Sequence, residues 1–83
     1  MIIITGGAGF IGSNLVYELN KRNTNNIIIC DKTISKLKKN YLKKIKFKKI
    51  ISPSKLLYFL KKNKNKIIYI FHLGAISTTT SSN

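Results

Sequence analysis

The chain alternates short, wholly apolar runs with longer stretches patterned at helical spacing. Met1 to Thr5 is a continuous apolar run that stops at glycines, the pattern of a strand buried on both faces. From Phe10 to about Arg22, Phe10, Ile11, Leu15 and Leu19 recur on one side with Val16 beside them, which predicts a helix. Asn23 to Asn26 is a polar break of turn formers, and Ile27 to Cys30 is a second apolar run closed by Asp31. Thr33 to Lys44 is lysine-rich, and Ile34, Leu37, Tyr41 and Leu42 give it one weak helical face. Phe47 to Ile51 reads as a further strand. Ser52-Pro53 reads as a helix start, because serine caps well and proline suits a first turn; Leu56, Leu57, Phe59 and Leu60 follow as its apolar face. Asn63 to Lys66 is a turn, Ile67 to Leu73 another buried strand, and Ser77 to Asn83 a Ser/Thr-rich loop. Strands alternating with helices predict βαβ units: an α/β fold with a parallel sheet covered by helices on both faces.

Composition narrows the setting. With 83 residues the chain makes one domain at most, and a chain this short buries only about 60% of its unfolded surface. No apolar run approaches the roughly 20 residues that span a bilayer, and the apolar start lacks the basic lead-in of a signal peptide. Cys30 is the single cysteine, so no internal disulfide forms. These features lead us to expect a reduced, cytoplasmic protein. The net charge of +14 invites a nucleic-acid or membrane reading. However, Lys, Ile and Asn supply 39 of the 83 residues, and all three use A/T-rich codons. Codon bias therefore accounts for the charge, and the lysines are expected to form a solvated face, with neither nucleic acid nor membrane as partner.

The candidate chemistry lies in two segments. Thr5-Gly6-Gly7-Ala8-Gly9-Phe10-Ile11-Gly12 satisfies G-x-G-x-x-G from Gly7 and G-x-x-G-x-x-G from Gly6. The glycines have separate tasks: Gly6 to leave the strand in a tight turn, Gly9 to let a pyrophosphate approach the backbone, and Gly12 to let helix and strand pack closely. The N–H groups that open the helix then hold phosphate. Asp31 stands at the tip of the next strand, 19 residues beyond Gly12, where a carboxylate takes ribose hydroxyls. Strand, turn, helix and acid together indicate the first half of a doubly wound Rossmann fold that binds NAD or NADP. Asp31 by itself favours NAD; Lys32, Lys36, Lys38 and Lys39 follow it as cations able to clamp a 2′-phosphate. The second segment runs from Phe71 to Thr80, off the carboxyl end of a strand. There Gly74 and Ala75 let a cofactor pass close, and the hydroxyls after them donate to phosphate or sugar oxygens. His72 is the lone histidine and reads as a strand-end packing residue with a satisfied ring nitrogen. No second ligand cluster joins it, so no metal site is expected. Cys30 reads as a small core residue.

These two motifs together resemble the extended short-chain dehydrogenase/reductase family, whose members open with T-G-x-x-G-x-x-G and carry an H-x-A-A-like segment after the fourth strand. Ser13-Asn14 after the glycine turn, Gly74, and the hydroxyl run Ser77-Thr78-Thr79-Thr80 bring the chain nearest to the branch that epimerises ADP-heptoses at carbon 6. The resemblance implies that NADP is the cofactor and ADP-heptose the substrate of the complete, homo-oligomeric enzyme, which supplies a lipopolysaccharide inner-core precursor. It also implies that Phe10 and Ile11 lie at the pyrophosphate, that Asp31 and Lys32 reach the adenosine ribose, that Lys38 serves the 2′-phosphate, and that Leu73, Gly74, Ala75, Ile76 and Ser77 line the cofactor.

The departures are specific. Lys32 stands where asparagine is usual, Leu73 where glutamate is, and Pro53 where the family has a basic contact; acidic residues around Lys43 to Lys55 are replaced mostly by lysine. The family's acid/base pair, Tyr-x-x-x-Lys, has no counterpart in the fitting region, since Tyr58 and Lys62 have the spacing but precede the fourth strand. Residues 1–83 are therefore expected to be an incomplete NAD(P)-binding domain, without substrate domain or catalytic residues. Other nucleotide-sugar epimerases or dehydratases, a basic nucleic-acid-binding chain and a non-functional gene remnant stand as alternatives.

Overall fold

The computed structural model describes residues 1–32 and 34–73. In chain order the elements are β1 (Ile2–Thr5), α1 (Phe10–Lys21), β2 (Ile27–Cys30), α2 (Lys36–Leu42), β3 (Lys49–Ile51), α3 (Leu56–Asn63) and β4 (Tyr69–His72), with a single 3-10 turn, Pro53–Lys55, leading into α3. The four strands form one sheet of order β3-β2-β1-β4, and every pair is parallel. The chain steps outward from β1 through β2 to β3, then returns to set β4 on the other side of β1. The crossovers run in opposite directions from β1, with α1 and α2 on one face and α3 on the other. This is the parallel α/β architecture of a Rossmann-type half.

Register fixes the two faces. Ile4 stands beside Ile29 and Phe71, and Ile29 beside Ile50. On this face Ile2, Ile4, Ile27 and Ile29 pack with Ala8 and Val16, flanked by half-buried Leu15, Leu19, Ile34, Leu42, Ile45 and Phe47. Ile3, Ile28 and Cys30 are buried on the opposite face. Lys49 shares that face by register with Ile28, and its Nζ lies 5.2 Å from the Phe59 ring centroid, which places α3 there. A fully buried isoleucine contributes roughly 1.5–3 kcal/mol, so the two central strands dominate the core.

The outer elements depart from the sequence reading. β4 is shorter than Ile67 to Leu73 and is not buried: Tyr69 is 63% and Ile70 49% exposed. It is an edge strand in this sheet, and neither face of it is fully covered. β3 spans three residues rather than five and is half-buried at best, being the other edge. The face expected of α2 splits, with Ile34 and Leu42 packed on the core and Leu37 59% exposed. In α3 Leu57 also points outward, at 64% exposure. Ser52 stands at the cap position but caps no backbone N–H; its hydroxyl pairs with that of Ser54 at 3.0 Å. No helix among the described residues is long and apolar enough to cross a membrane.

The end of α1 is closed by a Schellman motif. Asn23 N–H donates to Asn20 O at 2.9 Å and Thr24 N–H to Leu19 O at 2.9 Å, with Asn23 in the left-handed region at φ 63°. Asn20 adds a second closure, accepting from Lys46 N–H at 2.7 Å and donating to Lys46 O at 3.0 Å, which ties the loop before β3 to α1. Asn23→Ala is expected to cost about 1 kcal/mol, since alanine tolerates the left-handed region poorly. Asn23→Gly is expected to cost nothing or to stabilise slightly. Thermal melts of the two variants against the parent check this; equal losses would contradict it.

Candidate functional site

The turn after β1 is built by its glycines. Gly6 adopts φ 75°, open to glycine at no steric cost, and its N–H donates to the Cys30 carbonyl at 2.7 Å. The chain reverses there, with Gly9 N–H donating to Gly6 O at 3.1 Å and Ser13 N–H to Gly9 O at 2.9 Å. A Cβ on Gly12 would lie 2.2 Å from Gly6 O and 2.6 Å from Gly7 Cα. The crowding at Gly12 thus comes from the backbone of the turn, a closer constraint than the helix-to-strand packing the motif suggested. Gly7 is tight as well, since its Cβ would meet Ile29 and the Ile4 carbonyl at 3.1 Å.

Gly9 differs from both. Among the described residues, and its own chain neighbours aside, a Cβ there would meet Gly6 O at 3.5 Å and nothing nearer, and its backbone, φ −78° and ψ −179°, is extended. The described residues leave space before Gly9, which fits a ligand's close approach. Helix α1 begins at this point with no side-chain cap and no acidic residue in its first turn. Its leading N–H groups and positive dipole end therefore favour an anion. Phe10 and Ile11 flank them, 65% and 67% exposed, with the Phe10 ring 5.9 Å from that of Tyr41 on α2.

Asp31 is the hub of the site. Its Oδ2 accepts from Ala8 N–H in the glycine turn at 3.1 Å. Its Oδ1 accepts from Lys32 N–H at 2.8 Å and from Lys38 Nζ at 2.9 Å. The Asp31 side chain is only 8% exposed and that of Lys38 30%. Ser35 starts α2 by accepting from the N–H of Lys38 at 3.2 Å, which fixes the backbone from which the lysine reaches. Lys32 is exposed beside them. Cys30, one residue back, is a buried free thiol; burial, aided by the Asp31 charge, raises its pKa and keeps it protonated.

At the other strand end, Leu73 N–H donates to Thr5 O at 3.2 Å and its side chain packs against the core. Thr5 Oγ1 lies 2.9 Å from His72 Nδ1, so the histidine ring does find a partner across the sheet. Gly74, Ala75, Ile76 and Ser77 lie outside the described residues. The structure thus gathers Gly6, Gly9, Phe10, Ile11, Gly12, Asp31, Lys32 and Lys38 at the carboxyl ends of β1 and β2, with Leu73 at the end of β4. Sequence reasoning passed over Ala8, Ser35 and Tyr41. Ser35 carried a usable signal, a serine just before a helical run; Ala8 acts through its backbone and carried none.

A parallel sheet whose first turn presents a bare helix start, with an acid at the tip of the second strand, is the arrangement of a Rossmann-like α/β dinucleotide-binding fold. The chain belongs to the NAD dependent epimerase/dehydratase family, whose sequence model matches residues 2–83. Similar proteins include an ADP-L-glycero-D-manno-heptose-6-epimerase of Brachyspira hyodysenteriae, 44% identical over 82 residues that cover 95% of this chain and 26% of the relative. Enzymes of the same name from Alkalilimnicola ehrlichii and Fusobacterium nucleatum are 39% and 38% identical, over 96% and 99% of this chain and 26% and 25% of theirs. The chain therefore spans about a quarter of the length of these relatives.

The contrast between Gly9 and Gly12 separates binding from folding. Gly9→Ala is expected to cost about 1 kcal/mol at most, alanine being the poorer residue at a helix start, and to weaken nicotinamide-dinucleotide binding by tenfold or more, about 1.4 kcal/mol. Gly12→Ala is expected to cost about 3 kcal/mol or more through backbone overlap. Circular dichroism melts beside a cofactor titration decide it; a Gly12→Ala chain that melts like the parent would refute the packing argument.

Proposed function

We propose that this chain is the cofactor-holding, amino-terminal part of an ADP-L-glycero-D-manno-heptose-6-epimerase and that its cofactor is NADP. The observation that carries this reading is identity of 38–44% to three enzymes of that name across nearly the whole chain. Lys38 supports NADP over NAD: it sets an ammonium 2.9 Å from the carboxylate at the ribose position, and a 2′-phosphate beside that carboxylate needs a cation. Lys32, Lys36 and Lys39 add positive charge on the same segment.

In this reading the start of α1 binds the pyrophosphate, the space before Gly9 admits it, and Asp31 and Lys38 hold the adenosine ribose and its phosphate. Bound there, the nicotinamide would supply reversible hydride storage for a redox-neutral epimerisation at carbon 6 of the heptose. The present residues bind and orient; they do not move the proton. Tyr58 and Lys62 have the spacing of the family's acid/base pair, and Lys62 Nζ does donate to Tyr58 Oη at 3.1 Å. They sit on α3, though, ahead of β4 and with Tyr58 66% exposed, which is not the family's position. The complete enzyme, on this proposal, is a cytoplasmic homo-oligomer that serves lipopolysaccharide inner-core synthesis.

The test is a fluorescence titration with NADPH and NADH together with an ADP-heptose epimerisation assay. This chain alone is expected to bind NADPH about tenfold or more tightly than NADH, a difference of roughly 1.4 kcal/mol, and to show no turnover. Preference for NADH would refute the cofactor assignment, and turnover would refute the division of labour.

A further inference from the structure

We infer that Asp31 and an incoming 2′-phosphate compete for one ammonium group, Lys38 Nζ, and that this competition sets how strongly the site prefers a 2′-phosphorylated adenosine. The inference rests on the dinucleotide-binding reading above and adds to it an internal competitor. Both oxygens of the Asp31 carboxylate are already engaged within the chain, Oδ2 by Ala8 N–H at 3.1 Å and Oδ1 by Lys32 N–H at 2.8 Å and Lys38 Nζ at 2.9 Å. The two backbone donors hold the carboxylate in place whether or not the lysine stays. The Asp31 side chain, 8% exposed, has little room to follow a departing partner, whereas Lys38 is 30% exposed on a flexible stem. The ammonium is therefore the member that moves. Its backbone stays behind, because Ser35 Oγ caps the N–H of Lys38 itself.

Charge decides the direction of exchange. A phosphate monoester carries about −1.5 to −2 charges at neutral pH against one for a carboxylate, so it is the stronger claimant for Lys38. The chain has only two acidic residues, and the other, Glu18, pairs with Lys21 on α1 at 3.2 Å. No further carboxylate stands by to take the lysine. When the lysine shifts to a phosphate, Oδ1 loses one of its donors and is free to accept from a ribose hydroxyl. With an unphosphorylated ribose, Lys38 remains on Asp31 and that oxygen stays crowded.

The experiment is a double-mutant cycle with 2′,5′-ADP and 5′-AMP as probes, titrated calorimetrically against the parent chain, Asp31→Asn, Lys38→Met and the double variant, with melts to confirm folding. The quantity read is the ratio of the two affinities. In Asp31→Asn, which keeps an oxygen acceptor for Ala8 but frees the ammonium, the ratio should rise by about fivefold or more, the lower end of typical site-to-site coupling. In Lys38→Met it should fall toward one. In the double variant it should stay there, since the Asp31 effect acts through Lys38. An equal rise for Asp31→Asn with and without Lys38 would mean that the carboxylate simply repels phosphate, and would overturn the inference alone. No rise in Asp31→Asn would also overturn it. Failure of both probes to bind the folded parent would sink the dinucleotide reading and the inference with it. Should Asp31→Asn fail to fold, retention of the parent's full ratio in Lys38→Met would still refute the competition.

Discussion

The close approach of α1 to the backbone of the glycine turn is the contact on which the site depends. At Gly12 a side chain's first carbon would fall 2.2 Å from the Gly6 carbonyl oxygen, well inside van der Waals contact. Only a bare backbone lets the helix begin that near the end of β1. Because it begins there, its uncapped N–H groups face the carboxyl edge of the sheet, where α/β proteins take their ligands. The same approach brings Ala8 N–H within 3.1 Å of Asp31, which links the turn of the first βαβ unit to the tip of its second strand. Packing and binding are thus one geometric problem at Gly12 and two separate ones at Gly9, where the described residues leave space open.

The central strands and the first helix were legible from sequence because their physics is local and strict. Ile2 to Thr5 and Ile27 to Cys30 are buried on both faces, and continuous apolar runs are how such strands read. The turn was legible because each glycine answers a distinct steric demand. The outer strands were not, because an apolar run such as Ile67 to Leu73 has the same composition at the edge of a sheet as at its centre. Burial of β4 depends on what lies beside it, which is a fact of topology rather than of the run. The second helix was blurred for a related reason. With lysine at so many positions, the apolar face reduces to Leu42, with Ile34 just before the helix, on the core and Tyr41 against Phe10, and Leu37 falls outside it.

The site was legible in its residue types and less so in their connections. Asp31 was recognisable by its distance from the turn, but its pairing with Lys38 was one of several that the lysines of this segment allowed. The structure selects Lys38 because Ser35 starts α2 and sets that residue, rather than Lys36 or Lys39, on the side facing the carboxylate. A capping serine thereby determines which cation the acid meets. Ala8 contributes through its N–H, so no side-chain identity could have announced it.

This arrangement also shows why a net charge of +14 coexists with a fold whose site holds a carboxylate. The lysines lie on surfaces where exposure costs them little, and none is among the buried residues. The two acids are not interchangeable with that background. Glu18 pairs on the exposed face of α1, where such a pair contributes little and is screened by salt. Asp31 is nearly buried, and its charge is balanced by two backbone N–H groups and one ammonium at short range. Removing that ammonium leaves a desolvated carboxylate with only dipoles to hold it, whereas a lysine that loses the carboxylate, being partly exposed, is taken up by water. The pair is therefore unequal: the acid needs the lysine more than the lysine needs the acid. Transfer of Lys38 to a more highly charged anion therefore costs Asp31 least when a ribose hydroxyl takes the ammonium's place as donor.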